Sequence, residues 1–175
     1  WFQRLFASLG RERWEALYDA ARFASTGTGH TRARIFADAL LGAVSADELI
    51  GRITTKRHQD SVRALGLVPL SGAAGAARKE VLRRYRVLQE FRRTSRKHGG
   101  SMLQASEKRA VEIGMDNLAR TAGFADPVRL QWAMESDAVA DLARGPVIVK
   151  VEKTSVTLAI DEEGAISLAA TKDGK

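Results

Sequence analysis

The sequence predicts an α+β protein in which a mainly helical region is followed by a small C-terminal antiparallel β-meander. Apolar residues recur every three or four positions through most of residues 1–145, which is the spacing of amphipathic helices. Near Pro146 the spacing changes to alternation in steps of two, which is typical of half-buried strands. We therefore expect a helical domain over residues 1–145 and a β-meander over residues 146–175. The helices are joined by short links without a clear repeat period, so they form either an irregular bundle or a helical array.

Capping and stop signals divide the helical region into separate predicted helices. Ser45 and Glu48 have the spacing of a capping box, in which each side chain binds a backbone N–H of the other residue. Asp126 followed by Pro127 is a typical helix start, because aspartate caps the first turn and proline fits its first position. The small residues of 71–77 predict a flexible link. The predicted helices cover approximately residues 11–24, 31–44, 46–57, 60–65, 78–97, 103–121 and 127–145.

Three alternating segments after Pro146 predict the strands of the meander. They are VIVKV, VTLAI and AISLAA, with turns at EKTS and DEEG between them. Because side chains alternate between the two faces of a strand, one face of the sheet collects apolar residues. These residues are Val147, Val149, Val151, Val156, Leu158, Ile160, Ile166 and Leu168. So small a sheet is marginal by itself, and we expect it to pack on the helices or to continue beyond Lys175.

Composition excludes several classes of protein and site. The chain has 175 residues and no cysteine, so disulfides and thiolate metal sites are excluded. No apolar run approaches the roughly 20 residues that a membrane-spanning helix needs, and we expect no membrane partner. The chain begins with WFQRLF, without a signal peptide, and ends with TKDGK, where Asp173 and Gly174 have the form of a hairpin turn. We therefore expect a segment of a longer protein.

The positive charge of the protein is concentrated in one predicted helix. The net charge is +7, and residues 78–97, RKEVLRRYRVLQEFRRTSRK, hold nine basic and two acidic residues. On a helical wheel the apolar residues of this segment form one arc, and charged residues form the opposite arc. We call the basic residues of the charged arc the basic stripe. It consists of Lys79, Arg83, Arg86, Arg93 and Lys97.

The basic stripe is either the solvated face of an amphipathic helix or a surface that binds an acidic partner. The first interpretation is favoured, because basic residues are common near helix C-termini and because Glu90 can pair with Arg86 or Arg93. The acidic partner of the second interpretation would be nucleic acid, anionic lipid, or an acidic segment of another protein or of the rest of the parent chain. Nucleic acid is not favoured, because Tyr85 and Phe91 lie on the apolar arc, where they cannot stack on bases.

A second polar cluster is predicted in TTKRHQDSVRALGLVPL, residues 54–70. Arg57, Asp60 and Arg63 recur every three residues and predict a structural ion-pair cluster at a helix end. His58 beside Asp60 has the form of an oriented general base, but a lone histidine near an acid is more often structural. We therefore predict no catalytic residue. A non-catalytic role is favoured over an enzyme fragment whose site is completed by residues elsewhere.

The sequence predicts no metal ion and no organic cofactor. The histidines His30, His58 and His98 share no ligand spacing. Two glycine-rich stretches, GTGH at 27–30 and SGAAG at 71–75, are weak candidates for phosphate loops. Neither stretch stands between a strand and a helix with the Lys-Ser/Thr pair that such a loop needs.

Two stretches carry a resemblance to a known family. They are KRHQDSVRALGLVPL at 56–70, and residues 80–135, which contain EVLRRYRVLQEFRRTSRKHGG and QASEKRAVEIGMDNLARTAGFADPVRLQWAME. Both stretches resemble segments of large MolR-like bacterial proteins, which join HEAT-type helical repeats to domains of unknown function. The likeness continues through VADLARGPVIVKV into the strands. The resemblance implies a HEAT-like array inside a large intracellular bacterial protein, and it transfers no catalytic or binding residue.

These features favour a non-catalytic interaction or scaffold segment of a large cytoplasmic bacterial protein. The alternative function is binding of an acidic partner, either nucleic acid or an acidic protein surface, through the basic helix over residues 78–97. The two functions differ in what they require of the basic stripe, because only the second needs it to contact a partner.

Overall fold

The structure is a computed structural model that describes residues 2–24 and 29–172. It confirms the predicted α+β class, with helices followed by a three-stranded antiparallel sheet. The described helices are α1 (Phe2–Leu9), α2 (Arg11–Ala24), α3 (Gly29–Leu40), α4 (Ala46–Lys56), α5 (Gln59–Leu65), α6 (Ala74–Thr94), α7 (Ser101–Thr121) and α8 (Pro127–Ala138). Short 3₁₀-helices lie at Ser95–Lys97 and Leu142–Arg144, and the strands are β1 (Val147–Val151), β2 (Thr154–Ile160) and β3 (Ile166–Lys172). Residues 25–28, between the predicted helices at 11–24 and 31–44, and the predicted turn at Asp173 and Gly174 lie outside the described residues.

The chain divides into two compact units, residues 1–131 and residues 132–175. We call the first the helical unit. The boundary between the units falls within α8, whereas the change from helix to strand that the sequence predicts lies near Pro146. Secondary structure and tertiary contacts therefore divide this chain at different positions.

The core of the helical unit is formed by apolar side chains of α4, α5, α6 and α7. Leu49, Leu65, Leu88 and Leu118, one from each of these helices, are fully buried. The apolar arc that the wheel predicts for α6 is also buried, because Val81, Tyr85 and Phe91 join Leu88 in the core. The amphipathic pattern of α6 thus fixes which side of this helix meets its neighbours.

Both predicted helix caps are present. The Ser45 hydroxyl accepts a hydrogen bond from the N–H of Glu48 at 3.2 Å, and the Glu48 carboxylate accepts one from the N–H of Ser45 at 2.9 Å. Asp126 accepts a hydrogen bond from the N–H of Arg129 at 2.8 Å, which caps α8. The backbone hydrogen bonds from Ser45 and Arg129 hold the pKa of Glu48 and of Asp126 below their usual values.

Several helix boundaries differ from the predictions. The third helix ends at Leu40 instead of residue 44, because Gly42 has φ +68° and the N–H of Ala43 donates to the carbonyl of Asp38. Helix α6 begins at Ala74, inside the predicted flexible link, because alanine has the highest helix propensity and residues 74–77 include three alanines.

The last predicted helix is shorter than expected, and part of its apolar pattern faces solvent. Helix α8 ends at Ala138 and not near Gly145, so Val139 lies beyond its last turn. Leu130 and Met134 are fully buried and share one face of α8 at a spacing of four residues. Trp132 lies two positions from each of them, on the opposite side, and is 67 % exposed. Trp132 and Val139, which is 49 % exposed, therefore do not extend the buried face that Leu130 and Met134 form.

Two glycines bring the backbones of α5 and α7 into contact. A Cβ atom added to Gly66 would lie 2.3 Å from the nitrogen of Leu118 and 2.5 Å from the carbonyl oxygen of Gly114. A Cβ atom on Gly114 would lie 2.5 Å from the carbonyl oxygen of Val62. Side chains at these two positions would force the helices apart, so glycine is required by the packing and not by a turn.

The sheet has the predicted topology and face pattern. Its strands pair in the order β1-β2-β3, with Val149 opposite Val156 and Leu158 opposite both Val147 and Leu168. Residues directly opposite each other share a face, so the predicted apolar residues do lie together. Much of this face is exposed in the described sheet, most strongly on β3. The exposed members are Val149, Val151, Ile160, Ile166 and Leu168.

Candidate functional site

The basic stripe is exposed, as the helical wheel predicts. Its five residues are classed as exposed along α6 and the following 3₁₀-helix. Three of them make no side-chain hydrogen bond or ion pair with any other residue that the structure describes. These are Lys79, Arg86 and Lys97.

The two remaining stripe residues are neutralised by acidic neighbours. Arg93 binds Glu90 through two hydrogen bonds of 2.8 Å, one of the two pairings that the sequence allows. Arg83 binds Glu80 at 3.1 Å and also contacts Asp47 of α4. The stripe is therefore not a uniform row of free positive charge.

Arg84 has a structural role that the helical wheel does not reveal. Its side chain is 3 % exposed, and its guanidinium binds Glu80 at 2.8 Å and the carbonyl oxygen of Val68 at 2.5 Å. A buried guanidinium needs such partners, because removing it from water without them is costly. Arg84 therefore links α6 to the loop after α5 and is withdrawn from the basic surface.

Several positively charged side chains line a groove between α6, the 3₁₀-helix at Ser95–Lys97 and α7. We call it the α6–α7 groove, and its volume is about 880 Å³. Its charged lining residues are Arg86, Glu90, Arg92, Arg93, Arg96 and Lys108, and its other lining residues are Tyr85, Gln89, Ser95 and Gln104. Three of its cations, Arg92, Arg96 and Lys108, lie outside the predicted basic stripe. A wheel of a single helix cannot show that these cations share a groove, because the groove depends on how α7 packs against α6.

Arg57 does not belong to the predicted cluster with Asp60 and Arg63. It is the C-cap residue of α4, in a left-handed conformation with φ 49°. Its guanidinium binds both carboxylate oxygens of Glu107 in α7, at 2.7 and 2.9 Å. The prediction fails here because a buried carboxylate 50 positions away offers a bidentate partner, which a local spacing rule cannot detect.

The Arg57–Glu107 pair joins α4 to both α6 and α7. Arg57 also donates to the hydroxyl of Thr94 at 3.1 Å and to the carbonyl of Phe91 at 3.0 Å, and its guanidinium lies 4.1 Å from the centre of the Phe91 ring. Burial tends to raise the pKa of Glu107, but the hydrogen bonds and charge of Arg57 outweigh it and the pKa is lowered. Glu107 is therefore ionised at neutral pH and held by its partner.

The ion-pair cluster around Asp60 has a different third member. Asp60 binds Arg63 at 2.8 Å, as the spacing predicts, and it binds Arg32 of α3 at 2.7 Å. The side chain of Asp60 is 17 % exposed, that of Arg63 is 11 % exposed, and that of Arg32 is 45 % exposed. The cluster thus connects α3 to α5 at the edge of the core.

His58 caps a helix. It is the N-cap residue of α5, where its Nδ1 atom accepts a hydrogen bond from the N–H of Ser61 at 3.3 Å and lies 2.8 Å from the Ser61 hydroxyl oxygen. Asp60 is occupied by its two arginines, as described above. The arrangement corresponds to the structural interpretation of His58 and not to an oriented general base.

Three further features bear on the classes of function that the sequence raises. Within residues 2–24 and 29–172, no group of three or more His, Asp or Glu side chains could hold a metal ion. No helix in these ranges combines the length and apolar character needed to cross a membrane. The SGAAG stretch at 71–75 leads from α5 into α6, so a helix and not a strand precedes it.

Comparison with known proteins identifies a family for most of the chain. The family of unknown function DUF5724 matches residues 1–134. Searches of the curated proteins and of the solved structures find no match. The matched region covers the helical unit and ends before β1. With well over half of its residues matched, the chain belongs to the family DUF5724.

Proposed function

We propose that the helical unit is a non-catalytic interaction segment of a larger protein. One observation carries the proposal: the buried charged side chains are tied into structural pairs, whereas the unpaired cations of α6 and α7 face outward. Glu107 is held by Arg57, and Arg84 is held by Glu80 and the Val68 carbonyl. The surface is therefore where charge is available to a partner.

Two side chains that are suited to acid–base chemistry, Glu107 and His58, already have structural roles, which supports a non-catalytic function. The lowered pKa of Glu107 keeps its carboxylate ionised, so it holds no proton to donate at neutral pH. Its two oxygens are occupied by Arg57, and the Nδ1 atom of His58 is occupied by Ser61.

A second candidate function, binding of an acidic partner through α6, is favoured by the unpaired cations on this helix. Lys79, Arg86 and Lys97 of the basic stripe are exposed and unpaired among the described residues. Exposed charge of one sign attracts partners of the opposite sign and accelerates their association. Both an acidic protein surface and nucleic acid would satisfy this requirement.

The proposal also includes the kind of larger protein that contains this segment. The sequence resemblance to MolR-like proteins supports a large bacterial cytoplasmic protein in which this segment adjoins HEAT-type helical repeats. In such a protein the segment would connect the repeats to a partner or to another domain of the same chain.

Two measurements test these functions. The 175-residue protein is titrated with fluorescent polyglutamate, with an oligothymidylate and with polylysine as the control, at about 50 mM and about 200 mM salt. An acidic partner requires that at least one acidic polymer binds, that salt weakens the complex and that polylysine does not bind. Failure of both acidic polymers to bind contradicts the second candidate. Turnover of a generic ester, phosphoester or peptide substrate that one substitution abolishes contradicts the non-catalytic function.

A further inference from the structure

Four unpaired cations of the helical unit line the α6–α7 groove. Arg86, Arg92 and Arg96 line one wall of the groove, and Lys108 of α7 lines the other. None of the four makes a side-chain hydrogen bond or an ion pair with another described residue. The acid of the groove, Glu90, is already bound to Arg93. The groove therefore carries a concentrated positive charge that its own lining leaves unneutralised.

An apolar recess adjoins this charge. A smaller cavity of about 170 Å³ shares Gln89, Arg92 and Lys108 with the groove and continues between α7 and the start of α8. Its apolar lining residues are Val111, Met115, Pro127 and Val128. A cavity of about 150 Å³ can hold a benzene ring, so the recess has room for one apolar side chain. Its acidic residue, Glu112, is bound to Arg109 at 3.3 Å and does not neutralise the groove.

We propose that the α6–α7 groove binds an acidic peptide segment of a partner protein, with its carboxylates on Arg86, Arg92, Arg96 and Lys108 and one apolar side chain in the adjoining recess. The inference rests on the proposed binding of an acidic partner and assigns that partner a chemical class and a place. Guanidinium groups suit this role because they bind carboxylates through two parallel hydrogen bonds.

A peptide fits the groove better than nucleic acid does. Binding of single-stranded nucleic acid relies on exposed aromatic rings that stack on the bases. The aromatic side chains of α6, Tyr85 and Phe91, are only 5 % and 3 % exposed. The recess beside the cations has no aromatic ring in its lining, and it matches a sequence in which carboxylates flank an apolar residue.

The length of the groove sets the length of the peptide motif. From Arg86 to Arg96 the chain advances ten residues, which corresponds to about 15 Å along a helix. An extended peptide rises about 3.3 Å per residue, so about five of its residues lie along these cations. A library of random peptides of about 12 residues is therefore long enough to contain the motif.

The test is selection from such a phage-displayed library on the immobilised 175-residue protein, followed by binding measurements with the selected peptides. Two variants are compared, each lacking three positive charges. The groove variant carries Arg92→Gln, Arg96→Gln and Lys108→Gln. The stripe variant carries Lys79→Gln, Arg83→Gln and Lys97→Gln, at positions that do not line the groove. Thermal melting of each variant verifies that it is folded before its affinity is compared.

We expect the selected peptides to be acidic and to contain an apolar residue near their carboxylates. The groove variant should bind them at least about ten-fold more weakly, whereas the stripe variant should lose less than about two-fold. Val128→Ser, at an exposed position of the recess, should weaken binding about five-fold without affecting folding.

Other results overturn the inference in distinguishable ways. Equal losses in the two charge variants mean that net charge and not the groove determines binding. Selected peptides that are neutral or basic refute the assigned class. If oligothymidylate binds in a way that depends on the groove and no peptide binds, the proposed peptide is refuted, but the proposed binding of an acidic partner is not. If neither peptide nor acidic polymer binds, the proposed acidic partner fails as well.

Discussion

Truncation of Arg57 tests whether the Arg57–Glu107 pair stabilises the helical unit. The Glu107 side chain is 2 % exposed and that of Arg57 is 20 % exposed. Removal of one partner from a buried ion pair costs about 3–5 kcal/mol, because the other charge stays buried and unpaired. Since Arg57 lies at the edge of the core, water can reach Glu107 after truncation. We therefore expect Arg57→Ala to lower the free energy of unfolding by about 3 kcal/mol, near the lower limit of that range.

Urea denaturation followed by circular dichroism measures this change. A lower midpoint with an unchanged slope would show that stability alone is affected. Arg52→Ala is the matched control, because Arg52 is an exposed arginine of the same helix, and it should cost no more than about 0.5 kcal/mol. Arg57→Gly separates the side chain from the backbone. Glycine relieves the left-handed conformation at this position, so this variant should be about 1 kcal/mol more stable than Arg57→Ala.

The pH dependence of the same variants provides an independent check. In the wild type the pKa of Glu107 is lower in the folded state than in the unfolded state, where it is about 4.3. The ionised carboxylate therefore contributes to stability above the unfolded-state pKa, and this contribution is lost as the pH falls through the folded-state pKa. Without Arg57, burial is opposed only by the hydrogen bond of Ser95 and the charge of His98, so we expect the pKa of Glu107 to be higher in the variant than in the wild type. The cost of Arg57→Ala should therefore be smaller at pH 4 than at pH 7. A cost below about 1 kcal/mol, or one that is the same at both pH values, would refute this reasoning.

Two further predictions concern the cluster on Asp60 and the contact between α5 and α7, and urea denaturation measures both. Asp60→Ala should lower the free energy of unfolding by about 2 kcal/mol, because the Asp60 carboxylate is mostly buried and binds two arginines. The control Asp116→Ala breaks an exposed pair with Arg120 and should lower the free energy of unfolding by less than about 0.5 kcal/mol. Equal costs would show that the Asp60 cluster behaves as a surface pair. Gly66→Ala should lower the free energy of unfolding by at least about 3 kcal/mol, because the added Cβ would meet backbone atoms of α7. The control Gly51→Ala has open space around the added Cβ and should raise the free energy of unfolding by about 1 kcal/mol. A stable Gly66→Ala variant would mean that α5 and α7 can separate at little cost.

Local sequence signals predict the elements of this fold well, because the forces that define them act over a few residues. The capping box at Ser45 and Glu48 and the cap at Asp126 form as predicted, since each connects residues three positions apart. The strands follow from alternation, which also fixes the register once the turns are short. Gly66 shows the limit of such signals, because its importance depends on Leu118 and Gly114 of another helix.

Long-range pairing explains why the site could be predicted only in part. The spacing of Asp60 and Arg63 correctly predicts their ion pair, but Arg57 and Arg32 bind partners 50 and 28 positions away. A charged side chain chooses its partner by geometry and burial after the helices have packed. Sequence spacing therefore identifies charged clusters more reliably than it identifies their members.

The arginines of the basic helix α6 differ in role, because some stabilise the fold and others are exposed to solvent. On the helical wheel, the charged face is interpreted as a whole, either as solvated or as a binding surface. The structure instead distinguishes the individual arginines of α6 by their surroundings. Arg84 is buried and structural, Arg83 and Arg93 are exposed and paired, and Arg86 and Arg92 are exposed and unpaired. The last kind gains most from an acidic partner, because the positive charge of the other arginines is already offset by a bound carboxylate. The charge that folding leaves available to an acidic partner is thus the unpaired charge, and Arg86 and Arg92 carry part of it at the α6–α7 groove.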